Sequence, residues 1–140
     1  ELLGHGRVMT IDIEEAPNRP SHPRIQYLLG SSTSPEVVGV VRQGLSPGET
    51  VMAILDSDHR RNHVLNELRI YGAFVTPGSY LIVEDMNLNG HPVRPEFGPG
   101  PLEAVEEFLR ERKDFVVDRT REKFYLTLNR NGYLKKVTRE

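Results

Sequence analysis

The 140-residue sequence has no cysteine and no tryptophan. Without cysteine there is no disulfide scaffold, no thiolate-ligated zinc and no thiol nucleophile. No stretch approaches the ~18 apolar residues that a membrane span requires. A signal-peptide pattern is also missing, because Glu1-Leu2-Leu3-Gly4 opens the chain without a basic region or an apolar core. The expected compartment is therefore the cytoplasm. Charge of one sign is lacking too, with 18 Lys+Arg against 20 Asp+Glu and a net charge of −2. That balance excludes a polybasic arm, so neither nucleic acid nor membrane is an expected partner. The chain does not begin with Met. Its opening reads like the tail of a helix already under way, and a fragment or a trimmed start is expected.

What is present is an ordinary folded composition, 37% hydrophobic and 27% charged. The length suits one domain with a real core, here expected over 1–140 as a single, partial domain. Arg7–Ile13 reads as a strand after a Gly-closed helix end at Gly4/Gly6. Residues 14–23 hold three Pro and form a loop. Arg24–Leu29 is a second short strand, stopped by Gly30-Ser31-Ser32. Ser34-Pro35-Glu36 starts a helix, with Ser as cap and Pro in the first turn. The near-continuous apolar run Thr50–Leu55 predicts a strand buried on both faces. His59–Tyr71 carries Val64, Leu65, Leu68 and Tyr71 at helical spacing. Tyr80–Val83 predicts another doubly buried strand. Residues 86–101, with four Pro and three Gly, form a long loop of the kind that is functional or mobile. Leu102–Lys113 is an amphipathic helix. Asp114–Asp118 and Lys123–Asn129 alternate like half-buried strands, and Tyr133–Val137 is a last extended piece.

Strands alternating with helices imply an α/β fold. It would have an open, mainly parallel sheet, helices on both faces and an antiparallel strand pair at the C-terminal edge. Ligands bind such sheets beyond the carboxyl ends of the strands. Three apolar strands here run into acids: Ile11-Asp12, Leu55-Asp56 and Val83-Glu84-Asp85. Asp12 suits a ribose diol, since a carboxylate accepts from both hydroxyls, though Asp is also a common turn former. Asp56, Glu84 and Asp85 converge at one rim if their strands are neighbours. Clustered acids of this kind favour Mg²⁺, Mn²⁺ or Ca²⁺, unless they only cap the next helices and stay solvated. Asp58 offers a fourth carboxylate. His59, at D-x-x-H spacing from Asp56, suits a general base. His59 and His63 at i, i+4 are poor zinc candidates, with Arg60 and Arg61 between them and no third ligand. The run Arg119–Lys123 reads as a solvated connection rather than an anion site. The aromatics at 115, 124, 125 and 133 read as edge-sheet core rather than a base-stacking platform.

LDSDH at 55–59, HVLNELRIYGAFVTPGSYLIVEDMN at 63–87 and FVVDRTREKFYLTLNRNGYLKK at 115–136 resemble the cephalosporin hydroxylase / rhamnosyl O-methyltransferase family. The resemblance implies a class I S-adenosylmethionine-dependent methyltransferase fold. It also implies a divalent metal, Mg²⁺, on Asp56, Glu84 and Asp85, with His59 as catalytic base. Asp12 would hold the cofactor ribose, with Ser31 and Ser32 as further cofactor-binding candidates. The family's first strand and its acidic, Gly-rich cofactor loop are not found in these residues. Three consequences are open. The 140 residues are a fragment, or a partner chain supplies the strand, or the strands ending at Asp12 and Asp56 pair directly in a smaller sheet. The first functional expectation is a Mg²⁺-assisted O-methyltransferase acting on a hydroxyl of a sugar-like or natural-product small molecule. The alternative is a catalytically incomplete module, and in either case a homo-oligomer is expected. An oxidative enzyme, suggested by the hydroxylase name, would need an iron triad. The nearest approach is Asp56, His59 and His63.

Overall fold

The computed structural model describes residues 4–123 and 127–138. The chain divides into two compact units, Glu1–Ser46 and Pro47–Glu140.

The first unit holds strands β1 (Val8–Asp12) and β2 (Ile25–Leu29) and helix α1 (Pro35–Gly44). The strands pair in parallel, from Val8 opposite Ile25 to Asp12 opposite Leu29. In the proline-rich connection between them, the Arg19 guanidinium lies 5.0 Å from the Tyr27 ring centre and the Tyr27 hydroxyl donates to Pro20 O at 2.8 Å. The helix begins as its sequence demands: Ser34 Oγ accepts from Val37 N at 3.2 Å and Pro35 occupies the first turn. Val37 and Val41 form its buried stripe. Gly30 has φ +143, and a Cβ there would lie 2.9 Å from Val37 Cγ2, so the turn from β2 into α1 requires glycine.

The second unit holds β3 (Ala53–Leu55), α2 (Arg61–Phe74), β4 (Tyr80–Val83), α3 (Pro101–Glu111), β5 (Phe115–Val117), a 3₁₀ turn at Arg119–Arg121 and β6 (Tyr133–Lys136). Its sheet runs β3-β4-β6-β5. The β3/β4 pair is parallel, while β6 is antiparallel to both β4 and β5. The fold is thus α/β, with parallel pairs at β1/β2 and β3/β4 and an antiparallel C-terminal pair. The core gathers Leu55, Val64, Leu65, Leu68, Leu81, Val83, Phe108, Phe115 and Leu134. Arg61 pairs with Glu107 and Arg69 with Glu111, tying α2 to α3.

Several boundaries differ from the sequence reading. The expected strand 50–55 shrinks to Ala53–Leu55, and Ile54 is 53% exposed, so this strand is not buried on both faces; among the described residues β3 ends the order of its sheet. Tyr80–Val83 buries Leu81 and Val83 fully but leaves Tyr80 and Ile82 partly exposed, so it too is not buried on both faces. The helix read from His59 starts at Arg61, leaving His59 in the loop ahead of it. The expected strand 123–129 falls partly outside the described residues, and among those described β5 pairs with β6. Residues 124–126, with the aromatic positions Phe124 and Tyr125, lie outside the described residues, and Leu128 is 54% exposed. The partner is β6, because fully buried Leu134 anchors it between β4 and β5. Among the described residues β1 and β3 belong to separate sheets, so the strands ending at Asp12 and Asp56 do not pair directly.

Lys136 closes the end of α2. Its Nζ donates to Gly72 O at 3.1 Å and Val75 O at 2.7 Å, which satisfies carbonyls the helix leaves open. Burial pulls this ammonium below its ordinary range, and Asp114 partly restores it.

Candidate functional site

The β3/β4 register sets Leu55 opposite Val83. Asp56 and the Glu84-Asp85 pair therefore leave the sheet at one rim. Glu84 N donates to Leu55 O at 3.0 Å, extending the ladder by one step. Asp85 then turns sharply, at φ +51, into the following loop. One ligand atom each from Asp56, His59 and Asp85 lie within 4.8 Å of one another. His59 Nε2 is 3.4 Å from Asp85 Oδ2, with both side chains about one-third exposed. Glu84 stands beside this trio rather than in it. Burial raises its carboxyl above the ordinary range, the charges of Asp56 and Asp85 push it further, and His59 partly offsets them. Acids held this close repel one another, and a bound cation would relieve that repulsion.

Asp58 is turned to local work, its Oδ1 accepting from Arg60 N at 3.0 Å. His63 is drawn away from His59: its Nε2 lies 3.5 Å from Glu67 Oε1. The rim therefore gathers one histidine with two carboxylates, not the two histidines an iron triad would need.

In the first unit, parallel pairing brings Asp12 and the Gly30–Ser32 turn to one end of the two strands. Gly30 N donates to Asp12 O at 2.8 Å, and Asp12 Oδ1 accepts from Glu14 N at 3.0 Å. Ser31 Oγ lies 3.1 Å from Thr33 Oγ1. The Asp12 carboxylate is exposed.

The loop after Asp85 is packed and tied. Met86 and Leu88 are buried. Glu103, in the first turn of α3, gathers its two ends. It accepts from Asn89 Nδ2 at 2.7 Å and Gly100 N at 2.7 Å, and lies 3.0 Å from His91 Nε2. Burial alone would raise this carboxyl. The bonds from Gly100, His91 and Asn89 outweigh burial and hold it at about 2, against an ordinary 4.5. A depressed carboxylate stabilises the fold fully above its unfolded pKa and loses that contribution as pH falls through the folded one. Glu103→Gln should therefore lower the unfolding midpoint at neutral pH, and the gap from wild type should narrow between pH 4.5 and about 2. Denaturant melts at several pH values test this. A gap that stays constant would remove Glu103 as the anchor.

The basic run 119–123 is partly committed to structure. Arg121 Nε donates to Tyr80 Oη at 3.0 Å, and the Tyr80 hydroxyl donates to Asp118 Oδ2 at 2.6 Å. Two residues beside the rim escaped the sequence reading, Ser57 and Glu67. The signal for Glu67 was its place on the Val64, Leu68, Tyr71 stripe, where an acid has no packing reason to be.

A model of rhamnosyl O-methyltransferase/CmcI sequences matches residues 1–137. The chain belongs to the rhamnosyl O-methyltransferase/CmcI family. This family member is 42% identical over 134 residues to the rhamnosyl O-methyltransferase of Mycobacterium leprae (strain TN), covering 91% of this chain and 58% of that protein. The rhamnosyl O-methyltransferase of Mycobacterium tuberculosis (strain ATCC 25618 / H37Rv) is 41% identical over 135 residues, covering 91% of this chain and 55% of that protein. The chain thus spans somewhat over half the length of these relatives. Its fold resembles that of MycE, a methyltransferase from the mycinamycin biosynthetic pathway, solved in complex with Mg, SAH and mycinamycin VI. The TM-score is 0.63 at 17% identity, over 94% of this chain and 37% of MycE. A second MycE structure, with Mg and SAH, gives a TM-score of 0.61 at 18% identity. At that identity the likeness carries the fold, an open α/β sheet of the methyltransferase type.

Proposed function

We propose that this chain forms part of an S-adenosylmethionine-dependent, Mg²⁺-assisted O-methyltransferase that acts on a hydroxyl of a sugar-like or natural-product small molecule. The observation that carries the reading is the convergence of Asp56, His59 and Asp85 at one strand rim, with Glu84 raised beside them. This donor set fits a hard divalent cation: it is rich in carboxylate oxygen and poor in nitrogen, with no sulfur. Asp56, Glu84 and Asp85 would hold the ion. Asp12, with Ser31 and Ser32, would hold the cofactor ribose. When bound, the metal supplies Lewis acidity toward the acceptor hydroxyl and the cofactor supplies the methyl group.

The chain's own part in the chemistry is then positioning and proton transfer. Asp85 Oδ2, 3.4 Å from His59 Nε2, orients the imidazole. His59 would accept the acceptor hydroxyl's proton on the ring nitrogen not engaged by Asp85, as the oxygen takes the methyl group. The loop 86–100, entered directly from Asp85, would cover the acceptor and exclude water.

Thermal unfolding with S-adenosylhomocysteine, with and without Mg²⁺, tests this reading. A ligand at ~100 times its dissociation constant adds about 2.7 kcal/mol, a shift of several degrees for a domain of this size. A shift with each ligand is the expected result. A shift with Mg²⁺ alone would support the carboxylate rim and leave the methyl-transfer reading without its cofactor. No shift with either would overturn the reading for this chain.

A further inference from the structure

We infer that Glu67 is a positioning residue that acts through Ser57 to set the loop carrying Asp56 and His59. The inference rests on the reading of Asp56 as a metal ligand and His59 as a base. Glu67 is 2% exposed in the middle of α2, on the stripe that Val64, Leu68 and Tyr71 bury in the core. A carboxylate is costly to bury unless it is hydrogen-bonded and paired, so a leucine would serve packing better at this position. Its Oε1 is where two groups meet. Ser57 Oγ donates to it at 2.8 Å, and His63 Nε2, one helical turn earlier, lies 3.5 Å away. Burial first, and the charge of Glu67 second, push the neighbouring Tyr71 hydroxyl up to about 12, so the phenol stays neutral beside the carboxylate.

Ser57 itself is exposed and contributes nothing to the core. It sits between Asp56 and Asp58 and two residues before His59. Asp58 braces the loop against Arg60, within the loop itself. The Ser57–Glu67 bond instead ties the loop to the rigid interior of α2. A ligand and a base carried on a loop keep their spacing only if their support is fixed, and partners of this kind commonly change metal affinity 10–100-fold.

The test uses Mn²⁺ binding, followed by its paramagnetic signal, and amide hydrogen exchange at residues 56–60. Four forms of the chain are compared: wild type, Ser57→Ala, Glu67→Met and Glu67→Gln. Methionine keeps the volume of Glu67 and removes the acceptor, whereas glutamine keeps an acceptor for Ser57. Expected are about tenfold weaker Mn²⁺ binding and faster exchange at 56–60 in Ser57→Ala and Glu67→Met, with Glu67→Gln close to wild type. Ser57→Ala lies outside the core, so the test survives if Glu67→Met fails to fold. Wild-type Mn²⁺ affinity in Ser57→Ala, or a Glu67→Gln variant no better than Glu67→Met, would overturn the inference. If wild type itself binds no Mn²⁺, the metal reading fails, and the exchange data alone decide. Unaltered exchange at 56–60 in Ser57→Ala would then overturn the inference, and faster exchange would uphold it.

Discussion

Asp56→Asn and Glu84→Gln are expected to abolish Mn²⁺ or Mg²⁺ binding while the chain stays folded, whereas His59→Ala is expected to keep the metal and lose turnover. The difference follows from chemistry. Each carboxylate carries charge that the cation needs, and its neutral isostere keeps the shape but not the charge. Both side chains lie at the rim rather than in the core, so the fold does not depend on them. For Glu84, losing the charge even removes repulsion from Asp56 and Asp85, so the metal-free Glu84→Gln chain should be no less stable than wild type. His59 holds a different place. A general base contributes about 10²–10⁴-fold to rate, so its removal should cut kcat by that factor. Yet His59 also belongs to the trio within 4.8 Å, which Glu84 does not. Metal titrations separate the two roles. If His59→Ala loses Mn²⁺ while Glu84→Gln keeps it, the histidine is a ligand and the base must be sought elsewhere. Full activity in Asp56→Asn would remove the metal assignment altogether.

Gly132→Ala is the second large effect, and it acts on the same rim from the opposite side. A Cβ at Gly132 would lie 2.2 Å from Val83 O, 3.0 Å from Met86 Cγ and 3.1 Å from Asn129 O. Two of these are backbone atoms, so no side chain can swing aside to make room. Either β6 retreats, losing the 2.9 Å bond from Val83 N to Gly132 O, or the end of β4 moves and takes Glu84 and Asp85 with it. Overpacking of this kind costs about 3 kcal/mol, the upper part of its usual range. Denaturant unfolding should show that loss, and metal affinity should fall with it. An unchanged midpoint would mean the backbone accommodates the methyl group and the contact does not constrain the rim.

Legibility from sequence followed the range of the interaction. Ser34-Pro35 announced α1 because a cap is a bond between residues three apart, written in the local order. The meeting of Asp56 with Glu84 and Asp85 was visible for a similar reason: parallel β3 and β4 end on one side, so position in the chain implied position in space. The KFYLTLN run lies partly outside the described residues, and its alternation described a surface without naming a partner. What places β6 beside β5 is the burial of Leu134 and the space at Gly132, both long-range facts. Glu67 was legible as an oddity on an apolar stripe but not as a bond, because Ser57 lies ten residues away across a loop. The ties of residues 86–100 were hidden likewise, since Glu103 holds Asn89 and His91 across more than a helical turn of sequence.

The place of β6 has a consequence for how the molecule comes into being. The sheet order β3-β4-β6-β5 sets the latest of these four strands in sequence between two made earlier. While the ribosome is still short of residues 133–136, β4 has an open flank on that side, and β5 lacks the one neighbour it has among the described residues. The end of α2 likewise waits for the Lys136 ammonium to reach Gly72 O and Val75 O. At ~5–20 residues per second, that leaves a window of seconds in which the nascent second unit carries an unpaired apolar edge. Vectorial folding from the first strand onward cannot complete this sheet. The sheet is complete only when this non-local pairing is made, with the Val83 N to Gly132 O bond steadying the β4 end beside Glu84 and Asp85.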